Sequence, residues 1–317
     1  MKNEVKKFPI LRGAYLGQKP PGITPKVFAP GIISTGYSEA CLVFAPDGKE
    51  LFYVMQGAPY GVILTMKQKN NKWSKPHIVS FSGKYSDGEL SLSPDGNKLS
   101  FISLRPFERK GEPIEYWDIW IVERNKKGWD EPKNLGPIIN SDKMEAFPVL
   151  AQNGNLYFSS DRESGKGGWD IYCSEYINGN YTAPKSLKKS INTKYDEWDA
   201  FIAPDESYII FGSKDREDGY GESDLYISFR NEDGSWSQAE NMGEDINSNA
   251  GEYYPIVTPD GKYFFFNSVK RLYQSCSEKP ITYEEKIKIL SKPGNGSADI
   301  YWVDARIINN LKPKELK

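Results

Sequence analysis

The stretch Ser93-Pro94-Asp95-Gly96-Asn97-Lys98-Leu99-Ser100-Phe101-Ile102-Ser103 decides the fold. Proline presets φ for the second position of a tight turn, aspartate caps the turn, and glycine supplies a positive φ. The residues after the turn alternate apolar and polar side chains, as a strand with one buried face does. Pro-Asp-Gly occurs again at 46–48 and 259–261, and degenerate copies stand at Gln152-Asn153-Gly154 and Pro204-Asp205-Glu206. The intervals between successive copies are 48, 58, 52 and 55 residues, at or slightly above the period of a propeller blade.

Working outward, every copy has the same grammar. An alternating segment enters the turn, as in Ala40-Cys41-Leu42-Val43-Phe44, and a second strand leaves it, as in Leu156-Tyr157-Phe158-Ser159. A polar loop leads to a third strand that reads Asp118-Ile119-Trp120, Asp170-Ile171-Tyr172, Asp224-Leu225-Tyr226 and Asp299-Ile300-Tyr301, with Val62-Ile63-Leu64 in the first copy. A hairpin ending in an aromatic follows, then a short fourth strand that closes near Ile-Asn, at Ile139-Asn140, Ile191-Asn192 and Ile246-Asn247. Four short strands repeated in this way predict an all-β chain folded as a β-propeller.

The last copy stops after its third strand, and the N-terminus carries the missing piece. Residues 25–34, Pro-Lys-Val-Phe-Ala-Pro-Gly-Ile-Ile-Ser, line up with residues 132–141, Pro-Lys-Asn-Leu-Gly-Pro-Ile-Ile-Asn-Ser. The expected architecture is therefore five blades of four antiparallel strands closed by an N-terminal strand, which removes the open sheet edge. Six blades is the alternative, with a diverged blade shared between the leader and the insertion at 272–297. The expected organisation is a leader at 1–24, a propeller at 25–306 in which 25–35 completes the last blade, and a tail at 307–317. Within the insertion, Thr282 to Leu290 reads as a short helix ended by Pro293 and Gly294.

The turn with its Leu-x-Phe-x-Ser strand (Ser93 to Ser103), together with Asp-Ile-Tyr, resembles the WD-like repeat of TolB-type propellers, over about residues 25–305. The leader Tyr15-Leu16-Gly17-Gln18-Lys19-Pro20-Pro21-Gly22 and the ending Asp299 to Ala305 are similar to those of a bacterial subgroup of such propellers. The resemblance implies a β-propeller used for protein interaction, often in the periplasm or at the cell envelope. TolB-type proteins usually have six blades, so five is a departure, and the N-terminal α/β domain of TolB has no counterpart here.

Composition narrows the function. The 41 Lys+Arg against 43 Asp+Glu leave a net charge of −2 with no long single-sign block, so nucleic acid is not expected as a partner. No apolar run approaches spanning length, so membrane insertion is not expected, and neither is oligomerisation. Met1 to Lys7 lacks an apolar signal region: the compartment is periplasmic or envelope if a signal has been removed, cytoplasmic otherwise. Cys41, Cys173 and Cys276 have no metal-ligand spacing and read as free or buried thiols. The single histidine, His77, removes His-based triads and multi-His metal sites, and no Gly-x-Ser-x-Gly elbow or phosphate loop occurs.

Seven residues before each turn lies an acid: Glu39, Asp87, Glu145, Glu197 and Glu252. One per blade, at the start of the first strand, places a carboxylate ring around one channel mouth. Such a ring repels itself unless it holds a hard cation such as Ca2+ or pairs with bases. The bases are Arg105, Arg162, Arg216 and Arg271, which follow the second strand in four copies and are expected to pair with acids of neighbouring blades. The Asp that opens each third strand is expected to bond nearby backbone. The least repetitive loops, between strands two and three, carry Arg109, Tyr116, Trp117, Trp169 and Tyr220, an aromatic platform for a peptide or a sugar.

The expected function is a non-catalytic binding or scaffold propeller without cofactor, taking a protein or peptide partner at the mouth and variable loops. A carbohydrate-binding or carboxylate-based glycoside-active channel is the alternative, because glycosidases need only two or three carboxylates.

Overall fold

Each Pro-Asp-Gly copy closes the same turn. In the computed structural model, which describes residues 8–107, 114–273 and 279–313, the amide of the third turn residue donates to the carbonyl three positions earlier. The five cases are Gly48 to Ala45, Gly96 to Ser93, Gly154 to Ala151, Glu206 to Ala203 and Gly261 to Thr258, at 2.8–3.0 Å. Glu206 thus holds a left-handed conformation (φ 58°) without glycine's freedom. Its carboxylate is fixed there by Tyr157 Oη at 2.7 Å and by Asn153 and Asn155 Nδ2, both at 3.0 Å.

The turns join antiparallel strands into five four-stranded blades. The first runs Ser38–Phe44, Glu50–Gln56, Val62–Lys69 and His77–Ile78, and the second Asp87–Leu92, Lys98–Ser103, Asp118–Asn125 and Lys133–Asn134. The third is Glu145–Leu150, Leu156–Ser160, Asp170–Ser174 and Lys185–Ser186, and the fourth Asp196–Ile202, Tyr208–Lys214, Asp224–Phe229 and Glu240–Asn241. The fifth takes Glu252–Val257, Tyr263–Ser268 and Asp299–Asp304 from the C-terminal end and Lys26–Val27 from the N-terminal end. Lys26 lies opposite Trp302 and Val27 opposite Tyr301, so the ring is closed by an N-terminal strand and has five blades, not six.

The Ile-Asn ending of the second, third and fourth repeats is a clamp. The side-chain amides of Asn140, Asn192 and Asn247 exchange two hydrogen bonds with the backbone of Ile119, Ile171 and Leu225, at 2.8–3.1 Å. In the closing blade Ser34 takes this position against Ile300. The alignment of 25–34 with 132–141 therefore holds through the strand but slips by one residue in the turn, so that Ser34 matches Asn140.

Packing explains why the closure holds. Phe28 and Ile33 are fully buried, with Phe28 edge-on to Trp302 and Phe265. The segment before the closing strand also packs: Leu11 and Leu16 are buried, Tyr15 lies against Phe44, Tyr263 and Trp302, and Trp73 Nε1 donates to the Gly13 carbonyl at 2.8 Å. Within the insertion, helix α1 (Tyr283–Leu290) has a capping box between Thr282 and Glu285 and no buried residue. Near the C-terminal end, helix α2 (Arg306–Leu311) buries Ile307 and Ile308 against the last blade. No helix among the described residues is long and apolar enough to cross a membrane. Arg109 and Cys276 lie outside the described residues.

Candidate functional site on the propeller axis

The ring acids come first, because they open the strands nearest the axis. Their backbone stitches the blades: the amides of Glu39, Asp87, Glu145, Glu197 and Glu252 each donate to the preceding blade, to Ala298, Gly61, Trp117, Trp169 and Ser223, at 2.9–3.0 Å. Their side chains are 0–1% exposed. One oxygen of Glu39, Glu145, Glu197 and Glu252 accepts from the amide four residues earlier, at 2.8–3.0 Å, and the other from that residue's hydroxyl: Thr35, Ser141, Thr193 or Ser248. In the second blade Ser82 and Ser103 serve Asp87 instead.

Three arginines complete this arrangement. Arg105 meets Asp87 at 2.6 Å, and Arg162 meets Glu145 and Arg216 meets Glu197 at 2.8 Å. The pairs form within a blade, not between neighbours as the sequence suggested, because base and acid sit at facing ends of adjacent strands. The inter-blade link is a second bond of the same guanidinium to a carbonyl of the preceding blade, at Phe81, Ile139 or Ile191. The fourth expected pair does not form. Arg271 is exposed and enters the insertion, where its backbone bridges Asn295, so Glu252 rests on Ser248 and Ser268. Burial raises the carboxyl pKa of both Glu39 and Glu252.

Three of the third-strand aspartates hold loop backbone, as expected, and the fourth, Asp118, meets a side chain of the fourth strand instead. Asp118 accepts from Asn134, Asp170 from the amides of Lys166 and Gly167, Asp224 from that of Tyr220, and Asp299 from that of Gly294. The second oxygen of Asp170, Asp224 and Asp299 is buried without a partner.

The residues that meet on the axis lie two positions past each ring acid: Cys41, Glu89, Phe147, Asp199 and Tyr254. Every inner strand breaks register there with a β-bulge, and all five residues have a left-handed backbone, φ 38–54°. Bulges re-aim one side chain, and left-handed backbone at five non-glycine positions is strain concentrated at one place. Contacts between non-adjacent blades prove the convergence. Glu89 of blade two accepts from the Tyr254 hydroxyl of blade five at 3.3 Å and from the Phe147 amide at 2.9 Å. Phe147 stacks on Tyr254 with centroids 5.6 Å apart.

This inner ring breaks the symmetry that the outer one keeps. Glu89 and Asp199 have no cationic partner among the described residues. Burial pushes the Glu89 carboxyl up to about 7, and burial followed by the charge of Glu89 raises that of Asp199. Burial likewise raises the Cys41 thiol and the Tyr254 phenol. The folded chain thus holds a proton that the unfolded chain has lost, so the contribution of Glu89 is complete below about pH 4.5 and disappears as pH rises through about 7. Replacing Glu89 by Gln is expected to raise stability at pH 8 by about 1–3 kcal/mol and to leave it nearly unchanged at pH 4.5. Urea titrations at the two pH values check this; equal shifts at both would refute it.

Above Glu89 opens a basin of about 530 Å³. Its walls include Tyr60, Trp117, Trp169, Ile102 and Met144, with Asp87 and Glu145 at the side. Of the four loop aromatics, Trp117 and Trp169 are brought together, whereas Tyr116 (42% exposed) and Tyr220 (50% exposed) stand outside its walls. Among the described residues no three His, Cys, Asp or Glu side chains converge as a metal site requires. Sequence reasoning missed Glu89 and Asp199. The available signal was the column two residues after each ring acid, where Cys, Glu, Phe, Asp and Tyr replace one another in an otherwise regular repeat.

No family model and no curated protein matches the chain. Solved structures do. An α-L-arabinofuranosidase from Lactobacillus brevis superposes with TM-score 0.53 and 14% identity, over 86% of this chain and 91% of that one. TolB from Acinetobacter baumannii gives TM-score 0.49 and 14% identity, over 85% of this chain and 57% of that one, so the chain spans little more than half of that TolB's length. A putative TolB from Agrobacterium tumefaciens gives TM-score 0.48 and 17% identity over 84% and 90%. At these identities the likeness is one of fold, a β-propeller.

Proposed function

We propose that this propeller is a binding module whose axial basin receives a segment of a protein or peptide partner. The observation that carries the reading is the contrast between the two rings. Each outer carboxylate is bonded by Ser or Thr partners of its own, and three of the five also by an Arg. Glu89 of the inner ring and the aromatic walls line an open basin of mixed polar and apolar character, in which Glu89 is the one acid without a cationic partner among the described residues, a make-up that suits a recognition site. Panning a random peptide library on the protein should recover binders that lose at least about tenfold in affinity to Trp117→Ala or Trp169→Ala. Binders indifferent to both replacements would place recognition elsewhere and end this reading.

One observation favours a glycoside-active channel: Glu89 and Asp199 are two acids without a neutralising base, in unlike surroundings, and such a pair can divide the acid and base roles. Release of nitrophenol from a panel of nitrophenyl glycosides, abolished by both Glu89→Gln and Asp199→Asn, would replace the binding reading with this one.

A further inference from the structure

We infer that the basin selects a cationic side chain, the ammonium of lysine or the guanidinium of arginine, carried by the segment that binds there. The inference rests on the peptide-binding reading above and names the chemistry of its anchor.

The charge balance of the walls points that way. No Lys, Arg or His lines the basin among the described residues. Two of its three acids are already neutralised: Asp87 by Arg105 and Glu145 by Arg162. Both guanidinium groups are also turned to backbone carbonyls, Phe81 and Ile139, and neither contributes to the walls. The third acid, Glu89, has only two neutral donors, the Phe147 amide and the Tyr254 hydroxyl, and lies in the field of a second acid, Asp199. An anionic ligand would meet carboxyl groups and no cation here. A purely apolar one would cover a carboxylate without a bond in return. A cation supplies the missing partner.

The walls suit the rest of such a side chain. Tyr60, Trp117 and Trp169 offer aromatic faces to a cation and to the methylene stem behind it. The strained bulge at Glu89 (φ 38°) keeps its carboxylate on the axis. A basin of about 530 Å³ has room for one long side chain and the backbone beside it.

The test uses peptides recovered by panning on the full chain at pH 7.5. Peptides that need Trp117 and Trp169, carry Lys or Arg, lose about tenfold or more when that residue becomes norleucine or citrulline, and lose as much on Glu89→Gln, support the inference. Glu89→Gln is isosteric and expected to fold, so a loss there reports binding. Peptides that need both tryptophans yet bind equally after the Lys or Arg replacement overturn the cationic anchor while leaving the peptide reading in place. Peptides indifferent to both tryptophans overturn the two together.

Discussion

Removing residues 1–36 is expected to abolish the cooperative unfolding transition. The deletion takes away the fourth strand of the last blade, with Lys26 and Val27 paired to Trp302 and Tyr301 and the Phe28 amide bonded to Ile300 at 2.7 Å. It empties the sites of Phe28 and Ile33, both fully buried, and of Leu11 and Leu16. A single large-to-small change in a core costs about 2–5 kcal/mol, and four buried side chains are lost here together, against a total stability of about 5–15 kcal/mol. The outcome is a chain with an open ring and a bare edge on the Asp299–Asp304 strand, prone to associate through it. Calorimetry of the truncated protein should show no sharp endotherm, and a synthetic peptide of residues 8–36 should restore one. A truncated chain that melts like the full one would show that the N-terminal strand is not what closes the ring.

The second large effect concerns the outer ring. Arg162→Ala leaves Glu145, whose side chain is 0% exposed, without its charge partner and frees the Ile139 carbonyl at the junction with the preceding blade. Removing one member of a buried pair costs about 3–5 kcal/mol, because the remaining charge keeps its desolvation penalty. In a chain of this size that corresponds to a fall in melting temperature of roughly 4–8 °C. Arg216→Ala should match it, since Arg216 makes the same two contacts, with Glu197 and with the Ile191 carbonyl. Lys143→Ala is the control: its pair with Glu163 is 3.6 Å long with Glu163 88% exposed, and its loss should change stability by less than about 1 kcal/mol. Thermal melts of the three variants decide the matter, and equal shifts would mean that the ring pairs are no more than surface ion pairs.

What could be read from the sequence follows from what repeats. The turn residues recur five times, the Asp-aliphatic-aromatic strand four times and the Ile-Asn ending three times, each at the same job, so copies support one another even where one degenerates. Glu206 occupies a glycine position and still forms the turn, because Tyr157 and two asparagines hold it. The closing strand was legible because Pro25 to Ser34 resembles its counterparts, although Ser34 replaces asparagine and the register slips in the turn.

The repeats misled where local geometry departs from them. Arg271 follows its strand as the other arginines do, but the chain there leaves for the insertion, so the side chain never returns to Glu252. The acids themselves were found, yet their side chains serve the blades, and the residues that face one another are two positions on. A regular strand points residues i and i+2 to one side. In the second blade only the bulge separates the surroundings of Asp87, in the outer ring, from those of Glu89, and bulges leave no reliable trace in a single sequence. The functional candidates are thus the residues at which the five copies disagree.

The most direct test of the account is fluorine NMR of protein carrying 5-fluorotryptophan at its eight tryptophans, titrated with the tightest peptide from the panning. The expected result is that the resonances of Trp117 and Trp169 shift or broaden while those of Trp73, Trp236 and Trp302 stay in place. Movement confined to tryptophans outside the basin, with Trp117 and Trp169 unchanged, would contradict the claim that this propeller works through its axis.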